Sequence, residues 1–216
     1  TIPEGLTSAA AAAIVAAQPE LTGAAPVPPE GSLLPETYEV TRGESRAQVL
    51  LRMQTARDAL LARLWDHRDP NSPYRDPEQA VVLASIVEKE TALAQERPRI
   101  AAVFLNRLAR GMRLDSDPTV VYGITGGARL GHGLRVSELR GQTNYNTYVI
   151  AGLPPTPIAN PGRAALQAAL NPAPSEDLYF VANGTGGHAF ASTLAMHRKN
   201  VDRWRAIERA RGPRGG

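Results

Sequence analysis

The run Val81-Val82-Leu83-Ala84-Ser85-Ile86-Val87-Glu88-Lys89-Glu90-Thr91 constrains this chain more than any other stretch. It follows Asp76-Pro77-Glu78-Gln79, a strong helix start. Asp76 can cap, Pro77 suits the first helical position, and Gln79 completes a capping-box spacing. Side chains three and four apart share a helix face, so Glu90 continues the apolar stripe of Leu83, Ile86 and Val87. Glu88 lies about 200° round the helix, beside Ala84, Ser85 and Thr91. Only one of the two carboxylates is therefore expected on the buried side. A carboxyl among aliphatic side chains resists ionisation, because burial penalises its charged form. A proton held near neutral pH is what a general acid needs. A Glu-Lys-Glu at a helix end is also an ordinary solvated terminus, so the rest of the chain has to decide.

Helices dominate that rest. Thr7 or Ser8 can cap an Ala-rich helix to about Gln18. Residues 22–35 are rich in Pro and Gly and form loop. Glu36-Thr37-Tyr38-Glu39-Val40 alternates as a short strand. A long helix spans about Glu44 to Trp65, with Val49, Leu50, Met53, Leu60, Leu61 and Leu64 as core. After the breaker-rich segment 66–77, the Glu-Lys-Glu helix is expected to fray near Ala94. A further helix from Pro98 to Gly111 follows, with Ile100, Val103, Phe104 and Leu108 inward. Asp117 is placed as the cap of a short helix toward Tyr122-Gly123, and Gly126–Gly133 as a glycine-rich loop. The Pro-dense Gly152-Leu153-Pro154-Pro155-Thr156-Pro157-Ile158 fixes a rigid extended path. Asp177–Ala182 and His188-Ala189-Phe190 form a hairpin around Asn183-Gly184. Thr193 starts a last helix with Leu194, Val201, Trp204 and Ile207 inward. The expected class is α+β: a helix-rich domain with a small antiparallel sheet. Residues 1–75 read as a lead-in segment and long helix packed on a catalytic part at residues 76–212.

Composition narrows the chemistry. At 216 residues the chain can bury a real core. No window approaches the ~18 apolar residues of a membrane span, and Ala9–Ala17 is stopped by Gln18-Pro19. The chain starts at Thr1 with no initiator Met and no leader, which suggests an excised piece. Its charge of +3 comes mostly from Arg scattered along helices rather than massed in a run, which argues against nucleic acid as a partner. There is no cysteine, hence no disulfide or thiolate metal site, and any compartment is allowed, an oxidising one included. His67, His132, His188 and His197 lack H-E-x-x-H spacing, and no phosphate-cradling glycine motif is present. Neither metal nor cofactor is expected. No nucleophile-elbow motif supports a serine triad.

What remains is carboxylate chemistry in a polar, aromatic-lined groove. Glu90 is the candidate acid and Glu88 the fallback. Asp115, Asp117 and Glu96 are near enough in sequence to share the cleft. Tyr122, Tyr145, Asn146 and Tyr148 are types that bind sugars through stacking faces and amide hydrogen bonds. Each has an ordinary alternative: tyrosines pack, Asp117 caps, and His188 and His197 serve as structural hydrogen-bonders.

At this point several ordered segments matter together. They are Ala84–Thr91, Glu96-Arg97, Val103–Leu108 with Gly111-Met112, and Ser116-Asp117-Pro118-Thr119-Val120 with Tyr122-Gly123. They continue through Tyr145–Tyr148, Gly152–Ile158, Asn160-Pro161-Gly162, Tyr179–Ala182, Gly187–Phe190 and His197. Ile2–Thr7 and Pro35–Tyr38 fit the same pattern earlier. In this order they resemble the endolytic murein transglycosylase family (MltG, or YceG-like), over most of the chain to about Trp204. Glu30–Leu34 departs from the pattern.

The resemblance implies an inner-membrane enzyme with an N-terminal transmembrane helix, absent from this chain, and a periplasmic catalytic part. Such an enzyme cuts peptidoglycan glycan strands internally at the MurNAc–GlcNAc β-1,4 bond without water and leaves 1,6-anhydro-MurNAc ends. The resemblance also implies that it works without a cofactor and beside penicillin-binding synthases. The family's acid falls in the Glu-Lys-Glu segment. Helix phase favours Glu90, and Glu90-Thr91 also resembles the Glu-Ser pair of other lytic transglycosylases. Within these motifs Ser116, Asp117, Tyr122, Tyr145, Asn146, Tyr148 and His188 are the substrate-binding candidates. The rivals are a muramidase-type hydrolase with Asp115 or Asp117 as second carboxylate, and a non-catalytic peptidoglycan-binding module.

Overall fold

A computed structural model describes residues 1–211; Gly212, the last residue of the expected catalytic part, lies outside them. The architecture is α+β: eight helices and one two-stranded antiparallel sheet among the described residues. The helices are α1 (Ser8–Ala16), α2 (Arg46–Asp66), α3 (Pro77–Glu90), α4 (Arg97–Ala109), α5 (Asp117–Thr125), α6 (Val136–Leu139), α7 (Arg163–Leu170) and α8 (Leu194–Arg211). Strands β1 (Tyr179–Ala182) and β2 (His188–Ala191) pair with Phe180 opposite Phe190.

Helix α3 is the axis of the molecule. Asp76 accepts from the Gln79 amide at 3.0 Å, and the Gln79 side chain accepts in turn from the Arg75 amide at 2.9 Å. These bonds satisfy amides that a helix start otherwise leaves unpaired. Every residue from Ala80 to Val87 is buried, so the helix is enclosed on all sides rather than along one stripe. Its small-residue face is sealed by the Pro-rich segment: the Ser85 hydroxyl accepts from the Ile158 amide at 3.0 Å. Gly31, at φ +76°, lies where a Cβ would come within 2.5 Å of the Pro157 ring. The main core gathers α3, α4 and α7 around Phe104, Leu83, Ile86 and Leu166, and takes in Leu60 and Leu61 of α2. A smaller cluster joins α1 to Val49, Leu50 and Met53 of α2.

Several expectations are corrected. Helix α3 stops at Glu90, with Thr91 already extended (φ −145°, ψ 136°), rather than fraying near Ala94. Segment 36–40 forms no strand. Its alternation is real, yet no neighbouring strand lies alongside, and the Ile2 amide to Glu36 O is its one backbone-to-backbone bond among the described residues. Ser116, not Asp117, occupies the cap position of α5, and Asp117 is the first helical residue. Helix α8 has no buried residue. Its apolar stripe leans on the sheet and walls a cavity.

Candidate active site

Three elements converge on Glu90. The end of α3 presents it, the loop into α5 supplies Ser116 and Asp117, and β1 with α8 forms the opposite wall. The cavity between them holds about 530 Å³ and is lined by Glu90, Arg107, Asp115, Asp117 and Tyr148, with Tyr179, Phe180, Leu194, His197 and Val201 opposite. Glu90 keeps part of its surface exposed as a residue, but its carboxyl is packed deeply. The Ser116 hydroxyl donates to Oε1 at 2.5 Å. Burial pushes the Glu90 carboxyl up to about 7; the Ser116 hydrogen bond works against this, and the Asp117 charge adds to it.

Glu88, two residues earlier, is as much an interior residue as Glu90. Its side chain is 4% exposed, and the expectation that only one carboxylate is buried is wrong. Arg97 Nη2 donates to it at 2.8 Å, and the Gly162 amide donates to its other oxygen at 2.9 Å. Partners distinguish the two carboxylates; helix face does not.

The remaining candidates divide. Asp117 accepts from the Tyr148 hydroxyl at 2.7 Å, and both line the Glu90 cavity. Burial first, and then the hydrogen bond and charge of Asp117, hold the Tyr148 hydroxyl well above its ordinary range. Tyr122 lies beyond Asp117, in an adjoining cavity of about 450 Å³ that also takes in Gly5, Thr7, Lys89, Arg129 and His132. Asp117 lines both cavities, whereas Glu90 lines only the first. The Tyr145 ring lies against that of Tyr122, centres 4.9 Å apart and tilted by 59°, and its hydroxyl is 2.7 Å from the Thr156 hydroxyl. Asn146 is fully buried; its amide nitrogen donates to the carbonyls of Glu138, Leu139 and Gly141 and its oxygen accepts from the Tyr148 amide. Both N–H groups of Asn146 are thus committed to the protein backbone. His188 stands behind the cavity wall, edge-on to Phe180 at 5.3 Å, with Nδ1 2.7 Å from Glu96 Oε2. Burial raises the Glu96 carboxyl, but the hydrogen bonds and charge of His188, with a bond from Thr91, outweigh it and leave the carboxyl below its ordinary value.

Arg107 is a cavity residue the sequence reading passed over. Its Nε donates to Leu178 O at 2.6 Å, and its Nη1 reaches Arg113 O, Leu114 O and Asp115 Oδ2 at 3.0–3.1 Å. The guanidinium thus ties β1 to the loop before α5. The signal was there: Arg107 falls three after Phe104 and four after Val103, on the apolar stripe of α4. Tyr179 and His197 line the cavity as well. Their rings stack at 5.0 Å, and burial first, then the Arg107 charge, keeps His197 below its ordinary pKa. A further cavity of about 530 Å³ opens at the start of α3. Its carboxylates are already committed, Glu78 to Arg57 and Asp76 to the helix cap.

A protonated carboxyl in an aromatic-walled groove suits proton donation to a bound polymer. Relatives of known name share much of this chain. A Bacillus subtilis (strain 168) protein named endolytic murein transglycosylase is 32% identical over 179 residues, which cover 82% of this chain and 48% of the relative. A Streptococcus pneumoniae protein of the same name is 33% identical over 178 residues, 80% of this chain and 31% of the relative. The chain spans about half the length of the first and about a third of the second. The crystal structure of a yceG-like protein from Listeria monocytogenes aligns with a TM-score of 0.77 at 33% identity, covering 92% of this chain and 74% of that one. The YceG-like family matches over residues 1–203, nearly the full length, and the chain belongs to that family.

Proposed function

We propose that this chain is the catalytic part of an endolytic lytic transglycosylase acting on peptidoglycan glycan strands, with Glu90 as its acid and then its base. The observation that carries the reading is the buried Glu90 carboxyl, protonated up to about pH 7 in a groove lined by Tyr148, Tyr179 and Phe180. Two relatives named endolytic murein transglycosylase support the choice of substrate.

In this mechanism Glu90 donates its proton to the oxygen of the MurNAc–GlcNAc β-1,4 bond. As the bond from the MurNAc anomeric carbon breaks, positive charge develops on that carbon beside the new carboxylate. Glu90 then takes the proton from the C6 hydroxyl of the same sugar, and the C6 oxygen bonds to the anomeric carbon. The GlcNAc side leaves with a hydroxyl, the MurNAc side with a 1,6-anhydro ring, and Glu90 is protonated again. No water or cofactor enters. Within this reading residues 76–212 carry the acid, and residues 1–75 brace them and contribute Gly5 and Thr7 to the adjoining cavity. Anchoring in the inner membrane, a periplasmic location and work beside penicillin-binding synthases belong to the same proposal. No helix among the described residues is long and apolar enough to cross a membrane.

Asp117 favours a second reading, a hydrolase, because it lines the same cavity and its charge reaches Glu90. A hydrolase would use that second carboxylate to activate water or attack the sugar. Digestion of purified sacculi followed by mass analysis of the ends separates the two. Anhydro ends that disappear in Glu90→Gln support the lytic reading; ends heavier by one water overturn it. Retained binding to sacculi with no soluble product would indicate a binding module.

A further inference from the structure

We propose that Ser116 is a positioning residue that holds the Glu90 carboxyl in the one orientation presenting its proton to the groove. The inference rests on the lytic reading of the site but is carried by separate geometry.

Ser116 sits at the cap position of α5, where a serine hydroxyl ordinarily accepts from an amide of the first helical turn. Here it makes no such bond and is given to Glu90 instead. The chain reaches this arrangement through a strained residue. Asp115, at φ +51°, is the only non-glycine in the left-handed region among the described residues. Such strain persists only where the surroundings over-determine it, and here they do. Arg107 holds the Asp115 carboxylate, the Asp115 amide donates to Thr147 O, and the Ser116 amide donates to Thr147 Oγ1 at 2.9 Å. The Thr119 hydroxyl donates to Ser116 O at 2.6 Å and lies 2.8 Å from Thr147 Oγ1. Ser116, Thr119 and Thr147 are all buried. The loop gives up a helix cap and accepts backbone strain, and what it delivers is one hydroxyl at one carboxylate oxygen. Because that hydroxyl donates to Oε1, the acid proton resides on Oε2.

The test is Ser116→Ala in the full chain, with two readouts. The first is the pH profile of anhydro-ended product release from sacculi. The second is a ¹³C NMR titration of the Glu90 carboxyl, which needs no activity. The variant loses a hydrogen bond that favours the ionised form, so the Glu90 midpoint should rise by about one pH unit. The alkaline limb of activity should move with it. At the optimum the rate should fall by roughly tenfold or more as the carboxyl loses its fixed orientation. Ser116→Thr, which keeps the donor, should restore the midpoint; if the added methyl prevents folding, the titration of Ser116→Ala decides alone. An unchanged midpoint, or a slower rate with an unmoved profile, overturns the proposal. A wild-type protein releasing no anhydro ends would instead overturn the lytic reading and leave the titration to judge Ser116.

Discussion

Glu88 and Glu90 end the same helix two residues apart and meet different partners. Glu88 is clamped between the Arg97 guanidinium and the Gly162 amide. Glu90 has no cation within ion-pairing distance among the described residues and a single hydroxyl for company. A buried carboxyl with no cation or amide beside it favours its protonated form. Helix α3 therefore spends its first carboxylate on tying the α4 start to α7 and keeps the second available for proton transfer.

The uncompensated burial of Glu90 has a thermodynamic signature. Its pKa is raised from 4.5 to about 7 in the folded protein. Below about pH 4.5 the group is protonated in both states and costs nothing. Between about 4.5 and 7 the unfolded chain ionises first, so stability falls as pH rises; above 7 the penalty is complete, at about 3 kcal/mol. Glu90→Gln is neutral at every pH. It should match the wild type by calorimetry at pH 4 and melt roughly 6–12 °C higher at pH 8, while losing product release. A variant no more stable than wild type at pH 8 would contradict the buried, protonated acid.

Glu88→Gln should behave in the opposite way. The substitution leaves the Arg97 side chain, 9% exposed, with only Glu4 at 3.4 Å to balance it. Removing one partner of a buried pair typically costs 3–5 kcal/mol. With Glu4 remaining, about 2 kcal/mol is expected, a fall of roughly 4–8 °C in Tm. Product release per folded molecule should stay within a few-fold of wild type. Loss of product with an unchanged Tm would transfer the catalytic role from Glu90 to Glu88.

Much of this architecture was legible in the residues. Asp76-Pro77-Glu78-Gln79 gave the start of α3 to the residue, and the run around Asn183-Gly184 gave the hairpin. Helix phase could not separate the two glutamates, because α3 is enclosed on all sides and the small-residue face of Ala84 and Ser85 is as buried as the aliphatic one. The partners that do separate them, Arg97 and Gly162, lie 9 and 74 residues downstream. Periodicity also fails to say what an apolar stripe faces: Leu194 and Val201 of α8 wall a cavity instead of filling a core. Helix α6, four residues long, is too short to show a period at all.

Asn146 gives a test of the sugar-binding residues. Its amide is fully committed to the carbonyls of Glu138, Leu139 and Gly141, bracing the end of α6 against the turn that leads to Tyr148. Asn146→Ala would take that donor from the part-buried Leu139 and Gly141 carbonyls and should cost about 1–3 kcal/mol. The KM for glycan strands, measured at a temperature where the variant is folded, should change little. A raised KM with an intact Tm would mean that the side chain turns toward substrate after all.

Arg107 offers the sharpest check on how the groove is held together. Its planar fork serves four acceptors at once: Leu178 O on the approach to β1, the carbonyls of Arg113 and Leu114, and the Asp115 carboxylate. A lysine ammonium is a single point donor and cannot span acceptors on both sides of the cavity. In Arg107→Lys the charge survives but the tie between β1 and the loop before α5 does not. That loop would relax from the strained Asp115 conformation, and Ser116 would drift from Glu90. A misplacement of about 1 Å in such a site costs on the order of 100-fold, so product release should fall roughly 10- to 100-fold. Faster amide exchange at Ser116 and Leu178 should accompany the loss. Wild-type turnover in Arg107→Lys would mean that charge alone, and not the fork, is what the site requires of this residue.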